Sequence, residues 1–386
     1  MAKTSPALST PLREQLEKLA NFEPQTLPVI SLYLNLAADQ HGRDRYDTFT
    51  RKIFAERQRA FRDGTRERAS FDRDVERIQT YLSNQVERSA NAVAVFACAG
   101  AEDFFEAVQL QVPLDEHSLF VGPVPHLYPL AKLVDRYPRY AAVVADTHRA
   151  RIVVFSLGEV EQKRDVTSVK TRRNSMGGWS QARYQRRAEN FHLRHIKEVV
   201  ETLDRIVSAE NIPHIIVVGD EVVEPLVKEQ LPQRLIDKLV DVVRLEHDVP
   251  ENELLSATLK ILHEKDAEDD RECVEEVIGA WQANGLGVVG PEATLQALTL
   301  GQVDELLIAG SADNLEAIQQ LPPDTSKGET IARTSSATGE ADAGRVELAG
   351  ELIRRAEQTG ATVRFIEDPE LLNDYGGVGA LLRFRV

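Results

Sequence analysis

GGWSQARYQRRAENFHLRHIKEVVETL, residues Gly177–Leu203, is the stretch from which the fold can be read. Ala188, Phe191, Ile196, Val199, Leu203 and, just beyond, Ile206 recur at the three- to four-residue spacing of one helical face. They predict a long helix from about Ser180 to Ala209. The stripe begins only at Ala188. The first two turns, Ser180–Arg187, therefore have little to bury and should project from the domain body, with Gly177-Gly178-Trp179 at the tip. From Lys163 to Arg187 the bases are Lys163, Arg164, Lys170, Arg172, Arg173, Arg183, Arg186 and Arg187, and Asp165 is the only acid. Eight bases against one acid give +7, in a chain whose 46 Lys and Arg against 62 Asp and Glu give −16. Only a polyanion readily explains that concentration of positive charge. Arg183, Arg186 and Arg187 also oppose the helix macrodipole, a local cost that a phosphate partner would offset.

Strands precede and follow this helix. Tyr140–Asp146 and Arg151–Phe155 read as a hairpin, and Gly158 turns into a third strand, Glu159–Val166. After the helix, His214–Gly219 (HIIVVG) is a buried strand leading into a helix beyond Asp220. Two more strand–helix stretches end near His263. A hairpin, a long helix and a further strand describe an RNase H-like core. Earlier in the chain, residues 11–20 read as a short helix and Pro28–Leu36 as an alternating strand. Residues 46–90 read as one or two long helices, and Ala90–Cys98 as a buried strand. Val108–Val112 and Ser118–Val121 are short strands, and a Pro-punctuated passage to Pro129 leads into a helix.

Residues 264–276 hold eight acids and two bases, a solvated helix or a hinge. Beyond them, Glu292–Leu300 is a helix closed by Gly301, Val303–Ala309 a strand and 321–344 loop. Val346–Thr359 is a helix capped by Gly360, followed by strands Ala361–Ile366 and Val378–Phe384. The expected fold class is α/β in three domains. They are a mixed α/β domain over residues 1–135, an RNase H-like domain over 136–268 and an α/β/α sandwich over 269–386.

Bulk properties exclude several classes. No apolar run reaches the ~18–20 residues that span a bilayer, so no membrane partner is expected. The start, MAKTSPALSTPLREQLEKL, has no apolar signal core, and a cytoplasmic protein is expected. Cys98 and Cys273 lie far apart and outside any metal-ligand spacing, and read as free thiols. Neither cofactor nor metal is expected. One alternative, a two-Mg²⁺ nuclease, would use Asp146, Glu189 and Asp220 around the RNase H-like core. Against it, Asp146 reads equally as a turn residue and Asp220 as a helix cap. His192 and His195 flank the apolar stripe and read as structural. The nine bases between Arg43 and Arg68 are interleaved with five acids, which predicts a salt-bridge-laced helix face.

The order of these pieces resembles the archaeal and eukaryotic class I release factor and Pelota family. Gly177–Leu203 looks like the family's glycine-glycine-glutamine loop and following helix. ATLQALTLGQVDELLIA, ELIRRAEQTGATVRFIED and the closing GGVGALLRFRV are similar to the family's third domain, a fold shared with ribosomal protein L7Ae. The set looks most like the divergent bacterial branch, with its rescue and hibernation relatives. The resemblance implies an L-shaped, tRNA-like factor of the ribosomal A site, monomeric off the ribosome. Its first domain would face 16S rRNA at the decoding site. The glycine tip would reach 23S rRNA and the tRNA acceptor end in the peptidyl-transferase centre. The third domain would meet a translational GTPase such as EF-Tu. Lys170, Arg172, Arg173, Arg183, Tyr184, Arg186, Arg187 and Arg194 would be the RNA-binding stem, and Gly177, Gly178, Trp179 and Gln181 the catalytic tip.

The sequence also departs from the family. Trp179 stands where the hydrolytic glutamine is expected, and an indole has one donor and no acceptor. Gln181 follows two residues on, and aligns with a glycine-serine-glutamine form if Trp179 is an insertion. The stop-codon-reading motifs are not found in residues 37–70. Release or rescue by peptidyl-tRNA hydrolysis therefore stands beside two other readings. One is non-catalytic occupation of the A site by a hibernation or stress factor, and the lesser one is a nuclease cutting tRNA or other RNA.

Overall fold

The computed structural model describes residues 12–23, 25–37, 46–146, 148–167, 181–219, 223–245, 248–318, 334–335 and 340–385. They form two compact units, Met1–Arg136 with Ala267–Val386, and Tyr137–Asp266.

The first unit begins with α1 (Leu12–Ala20), β1 (Val29–Asn35), α2 (Tyr46–Ala60) and α3 (Arg66–Asn84). It continues with β2 (Ala92–Cys98), β3 (Phe104–Leu110), β4 (Ser118–Gly122) and α4 (Tyr128–Arg136). β1 lies antiparallel between β2 and β4, with β3 beyond β2. Ile30, Leu32, Leu34, Val93 and Val95 pack on one sheet face against Ile53, Phe54, Phe71 and Ile78 of the helices. The alternation in β1 does not mark a solvent face. Ser31 is 1% exposed, and its Oγ accepts the His126 N–H at 2.9 Å. Tyr33 donates to the His126 carbonyl at 2.6 Å, so a second layer covers this face too. β3 starts at Phe104 rather than Val108, because the chain reverses within 99–103, with Glu102 and Asp103 at φ +51° and +58°, and Phe104 pairs directly with Cys98. The Arg-rich helices are ion-paired, as Arg68 shows with Asp63 at 3.2 Å and Asp72 at 3.0 Å.

The second unit contains β5 (Tyr140–Ala145), β6 (Arg149–Ser156), β7 (Glu159–Thr167), α5 (Gln181–Ala209) and β8 (His214–Gly219). After these come α6 (Val223–Gln230), α7 (Gln233–Ile236), β9 (Leu239–Val243) and the first part of α8 (Glu251–Gln282). The sheet order is β7-β6-β5-β8-β9. β5, β6 and β7 are an antiparallel meander, and β8 and β9 add in parallel beside β5. This is the RNase H-like order expected from the sequence. Leu157 and Gly158, at φ +48° and +72°, make the two-residue turn between β6 and β7. α5 and α6 cover one face through Ile196, Val199, Leu203, Val223 and Val227. Leu254 and Leu262 of α8 belong to the core on the other.

Of the two further strand–helix stretches expected before His263, the described residues hold one, β9 followed by α8. α8 runs unbroken through 264–276 to Gln282, so of the two expectations for this acidic stretch, solvated helix or hinge, it is helix that forms. Its acidic stretch hides a buried position: Asp270 is 6% exposed and meets Arg364 at 3.4 Å.

The first unit resumes with β10 (Gly287–Val289), α9 (Pro291–Thr299), β11 (Val303–Ala309), β12 (Thr334–Ser335), α10 (Glu340–Thr359), β13 (Thr362–Ile366) and β14 (Val378–Leu382). A sheet ordered β10-β14-β11-β13, with β11 parallel to β13, forms the L7Ae-like sandwich with its helices. Most of the expected loop 321–344 lies outside the described residues. Within it, β12 pairs with β4 of the N-terminal sheet, and α10 starts at Glu340 rather than Val346. Tyr128 donates to the Ala309 carbonyl at 2.6 Å, and the Phe365 N–H donates to Asp135 at 3.1 Å, tying α4 to the C-terminal sheet of this unit. Cys98 is buried and Cys273 half-buried, both as free thiols. Among the described residues no helix is long and apolar enough to cross a membrane.

Candidate functional site

α5 starts at Gln181, one residue after the position expected from the apolar stripe. Gln181, Arg183, Tyr184, Arg186 and Arg187 all lie on its first two turns, but their side chains lie outside the described residues. Lys170, Arg172, Arg173, Gly177, Gly178 and Trp179 also lie outside them. The structure therefore describes the base of the basic helix.

At that base α5 enters the core. Phe191, His192 and Leu193 are half-buried and Arg194 is exposed. Ile196, Val199 and Leu203 are buried, so the expected stripe packs fully from Ile196 onward. Against this turn sits the β5–β6 connection. Asp146 accepts the backbone N–H groups of His148 and Arg149, both at 2.6 Å. Its carboxylate thus acts as the turn residue of an Asx-type connection. Asp220 and the side chain of Glu189 lie outside the described residues, so the nuclease triad is not assembled among them. Among those residues no three His, Cys, Asp or Glu side chains converge as a metal site.

The Asp146 turn brings the exposed His148 ring over α5. Its centroid is 5.9 Å from Phe191 and 5.6 Å from His192, and Phe191 and His192 are 6.3 Å apart. The three rings are tilted by 48–69° to one another. One helical turn further, His195 is 1% exposed, and among the described residues neither ring nitrogen has a hydrogen-bond partner. Arg149 is exposed next in sequence, but Ala150 belongs to the core under α5, so by strand alternation Arg149 lies on the opposite sheet face. On β7, Val166 joins the core under α5, so by strand alternation the exposed Arg164 lies on the same sheet face. Lys163 is committed elsewhere, donating to Glu251 at 2.6 Å and holding that carboxyl below its usual range.

His148 was missed in the sequence because its neighbours come from a helix more than 40 positions away. The one local signal is the Asp-Thr-His-Arg turn between two apolar strands.

Known proteins cover both units. Residues 125–263 match bacterial archaeo-eukaryotic release factor family 10, and residues 267–386 match domain 3 of eRF1. Peptide chain release factor subunit 1 of Pyrococcus abyssi is 23% identical over 289 residues, covering 67% of this chain and 69% of its own length. The same factor from Thermococcus sibiricus is 24% identical over the same shares. The crystal structure of the archaeal translation termination factor aRF1 is 17% identical and covers 97% of both chains, with a TM-score of 0.27. The two family matches lie almost end to end, and residues 125–386 of this chain are built of archaeo-eukaryotic release-factor domains, the first of them matching a bacterial family.

Proposed function

We propose that this protein enters the ribosomal A site and carries Gly177-Gly178-Trp179 into the peptidyl-transferase centre, to release or rescue the nascent chain. The observation that carries this is the end-to-end match of residues 125–386 to release-factor domains. It is supported by α5, which starts directly behind the glycine segment with three arginines on its first two turns. In this reading residues 1–135 face the decoding site, 136–268 deliver the tip and 269–386 receive a translational GTPase. Tyr128, Asp135 and β12 tie the first and last of these segments into one unit, so those two ends act as one body.

The chemistry is hydrolysis of the ester between peptide and tRNA. The side-chain amide of Gln181, or the backbone N–H of Trp179, orients the attacking water beside the ester carbonyl. Gly177 and Gly178 let the backbone approach closely, since neither carries a Cβ. Placement matters: a reacting group displaced by about 1 Å loses roughly 100-fold. A second reading follows from Trp179. Its indole cannot accept a hydrogen bond from water and stacks readily on a base, which suits a factor that occupies the site without hydrolysis.

Peptidyl-tRNA hydrolysis on purified ribosome complexes with an empty A site separates the two. Release by the wild type that falls about 100-fold or more in Gln181→Ala establishes a hydrolase with a displaced glutamine. Tight binding without release, weakened in Trp179→Ala, establishes the occupant. A wild type that neither binds nor releases contradicts both.

A further inference from the structure

We infer that His148, Phe191 and His192 form a stacking platform for an unpaired RNA base at the base of α5, with Arg164 and Arg194 receiving the flanking phosphates. This deepens the A-site reading and rests on it. The tip chemistry uses none of these residues. His148 is the exposed ring of the three, and Phe191 and His192 back it from α5 at 5.9 and 5.6 Å. Asp146 fixes the backbone on which His148 sits through two 2.6 Å hydrogen bonds, so the ring is presented with little loop entropy left to lose. One helical turn along α5, His195 is buried with neither ring nitrogen partnered among the described residues, whereas buried polar groups normally find a partner in protein or water.

The charge around the platform selects RNA over a protein face. Arg164 and Arg194 are both exposed. Among nearby acids, Asp146 is engaged by the turn, and Asp165 points to the opposite sheet face from Arg164 by alternation. Glu198 lies a turn beyond Arg194, toward the domain body. Phe191 is half-buried and backs the exposed His148 ring rather than standing free. Every base has a π-face, so the platform takes any unstacked nucleotide, and sequence is not read.

The test titrates empty-A-site ribosomes with wild type, His148→Ala and His148→Phe at fixed salt, with the thermal midpoint of each variant as a folding check. Wild type binds, His148→Ala binds about tenfold more weakly and His148→Phe stays within about twofold, with unchanged midpoints. His148→Ala binding as tightly as wild type overturns the platform and leaves the A-site reading standing. Equal weakening in both variants overturns stacking. A wild type that does not bind ribosomes overturns the platform together with the reading beneath it.

Discussion

Glu357 sits on α10 beside α1, where Gln358 donates to the Ala20 carbonyl at 2.8 Å. Burial pushes its carboxyl up to about 7, Arg13 pulls it down and Glu17 pushes it up. Asp74 is pushed the same way by burial, to about 6, against the Ala99 N–H and Arg77. A carboxyl raised in the folded state stabilises fully below its unfolded value, and that contribution is lost as pH rises through the folded value. For Glu357 the loss falls between about pH 4.5 and 7. The thermal midpoint of wild type, compared with Glu357→Gln by circular dichroism, should therefore fall relative to the variant as pH rises from 5 to 8. A difference that stays flat across that window would contradict the burial of this carboxyl. In the sequence both groups look like ordinary helix-surface acids. Their burial depends on packing partners far along the chain, which periodicity does not report.

Among the elements, α10 is the one whose packing can be checked most simply. A Cβ on Gly350 would stand 2.5 Å from His126 Nδ1, and that ring is itself stacked on Phe120 at 3.8 Å. Gly→Ala inside a helix normally stabilises by up to about 1 kcal/mol. Gly350→Ala should instead destabilise by roughly 1–3 kcal/mol, because the buried imidazole must move. Gly279→Ala on α8, where a Cβ meets nothing within 4 Å, serves as the control and should stabilise. Denaturant midpoints that shift in the same direction for both variants would rule out this packing. The elements that were legible are those with one strong pattern. β8 (His214–Gly219) and β11 (Val303–Ala309) match the reading residue for residue, and α5 differs by one. Those misread lack such a pattern. β10 has three residues and β12 two, too few for any period. α8 reads as two pieces because its buried positions change partners. Leu254 and Leu262 join the core of one unit, Val274 and Val277 that of the other, and acids fill the stretch between. At the candidate site, the helix and its charge could be read, whereas the His148–Phe191–His192 cluster forms only when the sheet returns a hairpin turn to the helix.

At the scale of the whole molecule, the chain concentrates cations in one segment against a general excess of acid. Lys163–Arg187 carries eight bases and one acid in a chain of net −16. Lys163 is held by Glu251, so the charge available to a partner rests on the arginines and Lys170. Phosphates reached by such a segment release counterions, and affinity then falls steeply with salt. The most direct measurement is co-sedimentation of the full chain with purified ribosomes through a salt series, for wild type and for Arg183→Glu/Arg186→Glu/Arg187→Glu. The account predicts that wild type pellets with ribosomes at low salt and is displaced as salt rises. The triple variant is predicted to lose binding, or to retain a slope of log affinity on log salt shallower by about 2–3. A triple variant that pellets like wild type at every salt concentration would contradict the placement of this helix against ribosomal RNA.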